Sequence, residues 1–237
     1  MSTPHRLIGL ATFTLAIAFN IPYALLAARF DYPDILRRPA AEVLASFQAG
    51  GAGLVAIWYA FLLCALALVG LAPALAAVGT RRGLATAAAL LGALAGVTQA
   101  IGLSRWVFAV PMLAAGFADP AGDPARAEAI AVVFEVLNLW AGVAVGEHLG
   151  QALTVAWIAV TVLQFPAAGR VVQGAGWLAV AGIGFGLGEG LALAFGRSGA
   201  VFSLGTITGY LAMSVWMVGL GLALWSRGAG VAPRVAA

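Results

Sequence analysis

The stretch LIGLATFTLAIAFNIPYALLAA, residues 7–28, decides the class of this protein. It contains no charged side chain, and about 20 apolar residues in a helix are enough to cross the hydrocarbon core of a bilayer. Arg6 precedes it and Arg29 follows it, which is typical of the flanks of a membrane span. A cleaved signal peptide is the alternative, since small residues stand near its carboxyl end. We favour a retained span, because the uncharged run is longer than the apolar region of most signal peptides.

The composition of the whole chain supports the same class. Of its 237 residues 63% are hydrophobic and 9% are charged, whereas a soluble domain has about 45–50% apolar and about 25% charged residues. A soluble enzyme is therefore excluded. The single cysteine, Cys64, excludes an intrachain disulfide. The basic residues are scattered singly or in pairs, so the chain lacks the clustered basic face of a nucleic-acid-binding protein, and membrane lipid is the expected partner.

Further apolar runs predict five more spans, and the expected fold class is an all-α integral membrane protein. The run from Ala127 to Phe165 is too long for one span at 1.5 Å per helical residue. We expect residues 127–141 to form an interfacial helix before the fourth span, with a seventh span as the alternative. Residues 226–237 are expected to be a disordered tail. The prediction is a single transmembrane domain, a bundle of six helices at residues 7–28, 53–78, 83–104, 146–165, 172–195 and 202–225.

The loops on the two sides of the predicted bundle differ in their acidic residues. Arginines divide equally between the sides, but one side has short loops without any acid, and the other has the long loops with most of the acids. Because arginine near short loops favours the cytoplasmic side, we expect both termini in the cytoplasm and the protein in the inner cell membrane.

Three segments resemble a known family. They are FDYPDILRRPAAEVLASFQAGG at residues 30–51, QAIGLSRWVFAVPMLA at residues 99–114 and GVAVGEHLGQ at residues 142–151. They are similar to segments of the domain-of-unknown-function family numbered 4386, and the spacing fits over most of the chain. The resemblance implies a six-span bacterial integral membrane protein. It implies no reaction, and it assigns no catalytic residue.

Polar and ionisable side chains inside the predicted spans are the candidate functional residues, because such groups are costly in a bilayer. All of them fall in the half of the bilayer next to the long loops, and the other half is mostly Ala, Leu, Val and Gly. We expect a polar pocket on the long-loop side, covered by residues 32–48 and 127–141. The alternative is that these groups, with aromatic residues such as Trp58 and Trp106, lie at the wet interface. The candidate ligand-binding residues are Asn20, Gln99, Arg105, Glu147, His148, Gln151 and Glu189.

The fourth span concentrates this chemistry. Helical periodicity places Glu147 and Gln151 on one face with His148 beside them, and such a set could bind a cation, relay a proton or hold a polar head group. A zinc protease needs His-Glu-x-x-His on one helix, which is missing here, so we expect no metal and no cofactor. We expect Arg105 to contact Glu189 or Glu147, because a carboxylate inside a span needs a partner or a proton. Such a pair would either take part in the function or only stabilise the helix bundle.

Three classes of function fit these features. The first is a protein that binds or moves a small polar or lipid-like ligand through the polar pocket. The second is a non-catalytic membrane interaction or regulatory subunit. The third is a membrane enzyme acting on lipid, with Glu147 and His148 as acid or base, although the absence of any catalytic motif argues against an enzyme. Glycines spaced four residues apart also fit a homo-oligomer or a membrane protein partner.

Overall fold

The computed structural model describes residues 3–119 and 123–229, and every regular element in them is helical. Short 3-10 turns lie at Asp34–Arg37 and Arg82–Leu84, and a π-helix lies at Asn138–Leu149. The α-helices, in chain order, are α1 Thr3–Phe30, α2 Ala40–Val78, α3 Ala85–Phe108, α4 Val110–Phe117, α5 Pro124–Leu137, α6 Gly150–Gln164, α7 Arg170–Gly186, α8 Gly188–Ala194 and α9 Ala200–Ala229.

Six helical runs in these residues are long and apolar enough to cross a membrane. The prediction of an all-α multi-pass membrane protein is therefore confirmed. Helices suit this environment because each satisfies its backbone hydrogen bonds internally, where lipid offers no partner. The six runs are Pro4–Phe30, Ala40–Val78, Arg82–Phe117, Pro124–Gln164, Arg170–Ala194 and Ala200–Ser226.

The second and third runs differ in detail from the predicted spans. The second begins at Ala40 rather than residue 53, and its helix is interrupted at Gly51, whose φ of 54° is a conformation that glycine adopts at low cost. In the third, α3 ends at Phe108 and α4 begins at Val110, one residue before Pro111. The proline ends α3 because it cannot donate a backbone hydrogen bond to the preceding turn.

The fourth run, Pro124–Gln164, is helical throughout. Its length is accommodated by a change of helix type rather than by a loop, since the π-helix Asn138–Leu149 joins α5 to α6. The interfacial position of residues 127–141 stays a prediction. At the carboxyl end, α9 continues to Ala229, so the first part of the predicted disordered tail is helical. The rest of that tail, residues 230–237, lies outside the described residues.

The described residues form two compact units. Unit 1 contains residues 3–18, 67–96 and 151–229, and unit 2 contains residues 19–66, 97–119 and 123–150. The core of unit 1 is built around Trp157 and Trp216, whose rings meet edge to face with centroids 5.4 Å apart. The core of unit 2 is a cluster of aromatic side chains, described with the candidate site below.

Within unit 1, α7 and α9 pack closely through glycines. A Cβ atom at Gly182 would lie 2.7 Å from the Gly209 Cα atom and 2.9 Å from the Gly205 carbonyl oxygen. Both neighbours are backbone atoms, so a side chain at residue 182 would force the two helices apart. Gly205 and Gly209, four residues apart on α9, thus serve helix packing within unit 1.

We expect Gly182→Ala to lower the free energy of unfolding by about 1–3 kcal/mol, because overpacking displaces backbone. The matched control is Gly184→Ala on the same helix, where a Cβ atom would have nothing within 4 Å. Thermal unfolding of the two variants in detergent measures the difference. Equal melting temperatures for the two variants would contradict the close approach of α7 and α9.

Candidate ligand-binding site

Arg105, in the last turn of α3, is the buried charged residue of unit 2 and is 6% exposed. Its Nη1 donates to the Gly102 carbonyl oxygen one turn earlier, and its Nη2 donates to Asn138 Oδ1 at 3.1 Å. Both acceptors are neutral. The Nε–H group is buried and has no hydrogen-bond partner among the described residues. The site therefore contains a cationic donor that the surrounding protein satisfies only in part.

Glycines of the π-helix create the space for this guanidinium. A Cβ atom at Gly142 would lie 2.5 Å from Arg105 Nη2 and 2.7 Å from its Cζ, so the flat guanidinium packs directly against the backbone. A Cβ atom at Gly102 would similarly lie 2.7 Å from the Gly146 Cα atom. The end of α3 and the π-helix are thus in backbone contact. π-Helical segments are rare, and they are frequent at functional sites.

Asn138, the first residue of the π-helix, connects Arg105 to the long loop after α1. Its Oδ1 accepts from Arg105, and its Nδ2 donates to the Leu36 carbonyl oxygen at 3.3 Å. The loop adopts this position because the side chains of Ile35 and Leu36 are buried in the aromatic core. One amide side chain therefore holds both the guanidinium and the loop.

A second connection joins the same loop to the other end of the π-helix. Arg37 Nη2 donates to Glu147 Oε2 at 2.6 Å, and the two side chains are 29% and 26% exposed. We call this ion pair and the Asn138–Leu36 hydrogen bond together the loop clasp. The sequence predicts a contact of Arg105 with Glu147 or Glu189. Arg105 bonds to Gly102 and Asn138, and Glu147 pairs with Arg37 and acts on Arg105 electrostatically.

An aromatic cluster surrounds Arg105. The rings of Trp58 and Trp106 stack with centroids 4.7 Å apart and an interplanar angle of 8°, and Phe47 stacks on Trp106 at 5.7 Å. Phe30 meets both tryptophans edge to face. The Arg105 guanidinium carbon lies 5.0 Å from the centre of the Trp106 ring, within the range of a cation–π interaction.

The burial of two tryptophans contradicts the alternative that they are interfacial aromatics. Trp58 and Trp106 are fully buried, so they are core residues rather than interfacial aromatics. Tyr59 and Trp140 are 46% and 62% exposed, as interfacial aromatics would be. Burial leaves the Trp58 Nε1–H group without a hydrogen-bond partner among the described residues. Trp58 Nε1, Arg105 Nε and His148 Nδ1 are thus the buried nitrogen atoms of unit 2 that have no hydrogen-bond partner among the described residues.

The other predicted site residues fall into two groups. In unit 2, Asn20 is half-buried, Gln99 packs against Gly150, and His148 has a buried Nδ1 atom without a partner among the described residues. In unit 1, Gln151 is buried at the start of α6, and the half-buried side chain of Glu189 packs against the residue 199 backbone.

Two residues of the site were missed by sequence reasoning. Asn138 has an amide side chain within an apolar run. This position could have identified it from the sequence, because a polar group in a span is costly. Arg37 stands in a polar loop, where nothing in the sequence marks it as the partner of Glu147. Thr161 and Gln164, both buried in α6, also lie in the bilayer half that was expected to be apolar.

One known protein family matches most of this chain. The family model described as a domain of unknown function, DUF4386, matches residues 7–224. The chain belongs to the DUF4386 family. The segments on which the resemblance was based contain the parts of the candidate site: residues 30–51 hold the loop, residues 99–114 hold Arg105, and residues 142–151 hold Glu147. No curated protein and no solved structure matches this DUF4386 chain significantly.

The packing of Arg105 on Gly142 can be tested by a double-mutant cycle. We expect Gly142→Ala to lower the free energy of unfolding by about 1–3 kcal/mol through overpacking. The loss should largely disappear when Arg105 is already replaced by alanine, because the methyl group then has room. Gly53→Ala in α2, where a Cβ atom would have open space, is the control. Equal losses from Gly142→Ala in both backgrounds, measured by chemical unfolding in detergent, would show that the guanidinium does not occupy this position.

Proposed function

We propose that this protein binds a lipid-like ligand with an anionic head group at Arg105, in the half of the membrane next to the long loops. The buried, incompletely satisfied guanidinium is the observation that supports this proposal. Both of its hydrogen bonds go to neutral acceptors, and its Nε–H has no partner among the described residues. A carboxylate or phosphate would accept from that side of the guanidinium and neutralise its charge, in the geometry that arginine favours.

The surroundings favour an amphiphilic ligand over a small inorganic ion. Phe108 and Met112 follow Arg105 by three and seven residues, and they are 72% and 70% exposed. In a membrane, these exposed apolar side chains face acyl chains. A ligand could therefore keep its hydrocarbon chain in the lipid phase while its head group reaches the guanidinium, so that only the head group has to enter the protein.

The loop clasp gives the site a way to open. Arg37 and Glu147 are both partly exposed, and ion pairs of this kind contribute only about 0–1 kcal/mol to stability. Breaking this ion pair therefore costs little, and it separates the Arg37 end of the loop from Glu147 while Ile35 and Leu36 stay buried. Entry of a head group from the long-loop side would begin at this partly exposed pair. We place this side outside the cytoplasm and both termini inside it, in the inner membrane, since the short loops contain arginine and no acid.

Native mass spectrometry in mild detergent tests the proposal. The probes are oleate, dioleoyl phosphatidylglycerol and the uncharged oleyl alcohol, each titrated against wild type and Arg105→Gln. We expect the anionic probes to bind wild type and to bind Arg105→Gln at least about tenfold more weakly, which corresponds to a loss of about 1.4 kcal/mol. A preference for oleate or for phosphatidylglycerol identifies the head group as carboxylate or phosphate.

Two further variants serve as controls. Arg126→Gln removes an exposed arginine paired with Asp119 and should leave binding unchanged. Glu189→Gln tests the predicted site residue of unit 1 separately. Equal binding of oleate and oleyl alcohol, or equal binding by wild type and Arg105→Gln, would overturn the proposal. A wild-type protein that binds none of the probes but co-purifies with another chain would favour the interaction-subunit hypothesis instead. Unfolding temperatures of all variants verify that they fold.

A further inference from the structure

Helix α6 has a row of buried polar side chains in unit 1, separate from the Arg105 site. The row consists of residues 3 or 4 positions apart, so they share one face of the helix. It covers residues 151–164, or about 20 Å at 1.5 Å per residue, which is much of the roughly 30 Å hydrocarbon core of a bilayer. Its members are Gln151, Thr154, Trp157, Thr161 and Gln164, which are 8%, 1%, 1%, 1% and 0% exposed.

Three buried atoms of this row have no hydrogen-bond partner among the described residues: Trp157 Nε1, Thr161 Oγ1 and Gln164 Oε1. They belong to residues at positions i, i+4 and i+7 of one helix face. Leaving even one such group unsatisfied inside a protein is costly, and native structures resolve nearly all such cases with protein groups, ions or internal water. Three of them lie on one face over about 10 Å of helix axis, so several small molecules fit them better than one ligand.

Neighbouring glycines let the side chains of Trp157 and Gln164 pack directly against backbone. A Cβ atom at Gly92 of α3 would lie 2.6 Å from Trp157 Nε1, and one at Gly79 would collide with the Gln164 carboxamide. The carboxamide is also fixed in orientation, since its Nε2 donates to the Ala76 carbonyl oxygen at 2.7 Å. This bond directs Nε2 toward Ala76 and leaves Oε1 available to accept a hydrogen bond from another donor.

The chemistry of the three atoms identifies the ligand. The indole N–H of Trp157 can only donate, Gln164 Oε1 can only accept, and the Thr161 hydroxyl can do both. An anion would be repelled by the carboxamide oxygen, and a cation by the indole N–H. Water donates and accepts, and buried waters typically make about three hydrogen bonds to otherwise unsatisfied groups. We propose that unit 1 holds internal water on the buried face of α6, hydrogen-bonded to Trp157, Thr161 and Gln164.

One end of the row contacts an exposed residue. The Gln164 carbonyl oxygen accepts from Thr80 N at 3.1 Å and from Thr80 Oγ1 at 2.9 Å, and Thr80 is exposed in the turn between α2 and α3. Exchange of the proposed water with solvent on the short-loop side would begin at this end of the row. Internal water in unit 1 does not depend on ligand binding at Arg105, so each proposal can fail without the other.

Radiolytic hydroxyl-radical labelling of the full-length protein in detergent tests this proposal, because bound water generates radicals beside the residues it contacts. Trp157 and Trp216 form a matched pair, each 1% exposed and both in the core of unit 1. We expect Trp157 to be oxidised severalfold faster than Trp216, and we expect this excess to disappear in Thr161→Val combined with Gln164→Leu. Equal, slow oxidation of both tryptophans in wild type would overturn the proposal.

Thermal unfolding gives a second, independent readout. Thr161→Val should lower the melting temperature by more than Thr12→Val, in which a buried threonine loses only a hydroxyl bond to the Ile8 carbonyl oxygen of its own helix. In a dry site the change would have the opposite sign, because valine would remove an unsatisfied hydroxyl. A higher melting temperature for Thr161→Val than for wild type would therefore overturn the proposal even if the protein folds normally.

Discussion

The buried guanidinium of Arg105 is the constraint on which the architecture of unit 2 depends. A cation inside a membrane span needs hydrogen-bond acceptors and space, and the end of α3 and the π-helix together provide both. Gly102 supplies a carbonyl oxygen, Asn138 supplies an amide oxygen, and Gly142 supplies the gap in which the planar group lies. A side chain at residue 142 would occupy this space, so the arginine and the glycine must be understood together.

The same interaction determines where the long loop lies. Asn138 can accept from Arg105 and donate to Leu36 at the same time because a carboxamide has both functions. An apolar residue at position 138 would leave the guanidinium and the loop carbonyl unsatisfied together. The aromatic cluster reinforces this arrangement, since Ile35 and Leu36 are buried beside Phe30 and Trp106. The loop is thus a structural part of the site, fixed by burial and by hydrogen bonds.

In unit 1, small residues and polar residues have linked roles. Glycines at positions 182 and 209 let α7 and α9 come into backbone contact, whereas Gly92 and Gly79 make room for polar groups of α6. Spaced glycines in a span therefore have two uses, close helix packing and accommodation of a buried polar side chain. The sequence pattern is the same in both cases, and only the neighbouring helix distinguishes them.

The sequence alone determined the class of this protein and most of its helix positions. Long apolar runs have one stable arrangement in a bilayer, and that is a spanning helix, so six spans could be predicted without reference to tertiary contacts. The sequence also identified Arg105 and Glu147 as unusual, because a charged residue in an apolar run is visible without any knowledge of its partners.

Only the tertiary structure decided which groups meet. Arg37 pairs with Glu147 across more than a hundred residues of chain, and periodicity within one helix has no information about such a contact. The π-helix that brings Asn138 to Arg105 was equally invisible, because it differs from an α-helix in its hydrogen bonding and leaves no mark on composition. Burial separated Trp58 and Trp106 from the exposed Trp140, although all three are tryptophans in apolar surroundings. Partner choice and burial depend on how helices pack, and helix packing depends on the shapes of side chains that are distant in the sequence.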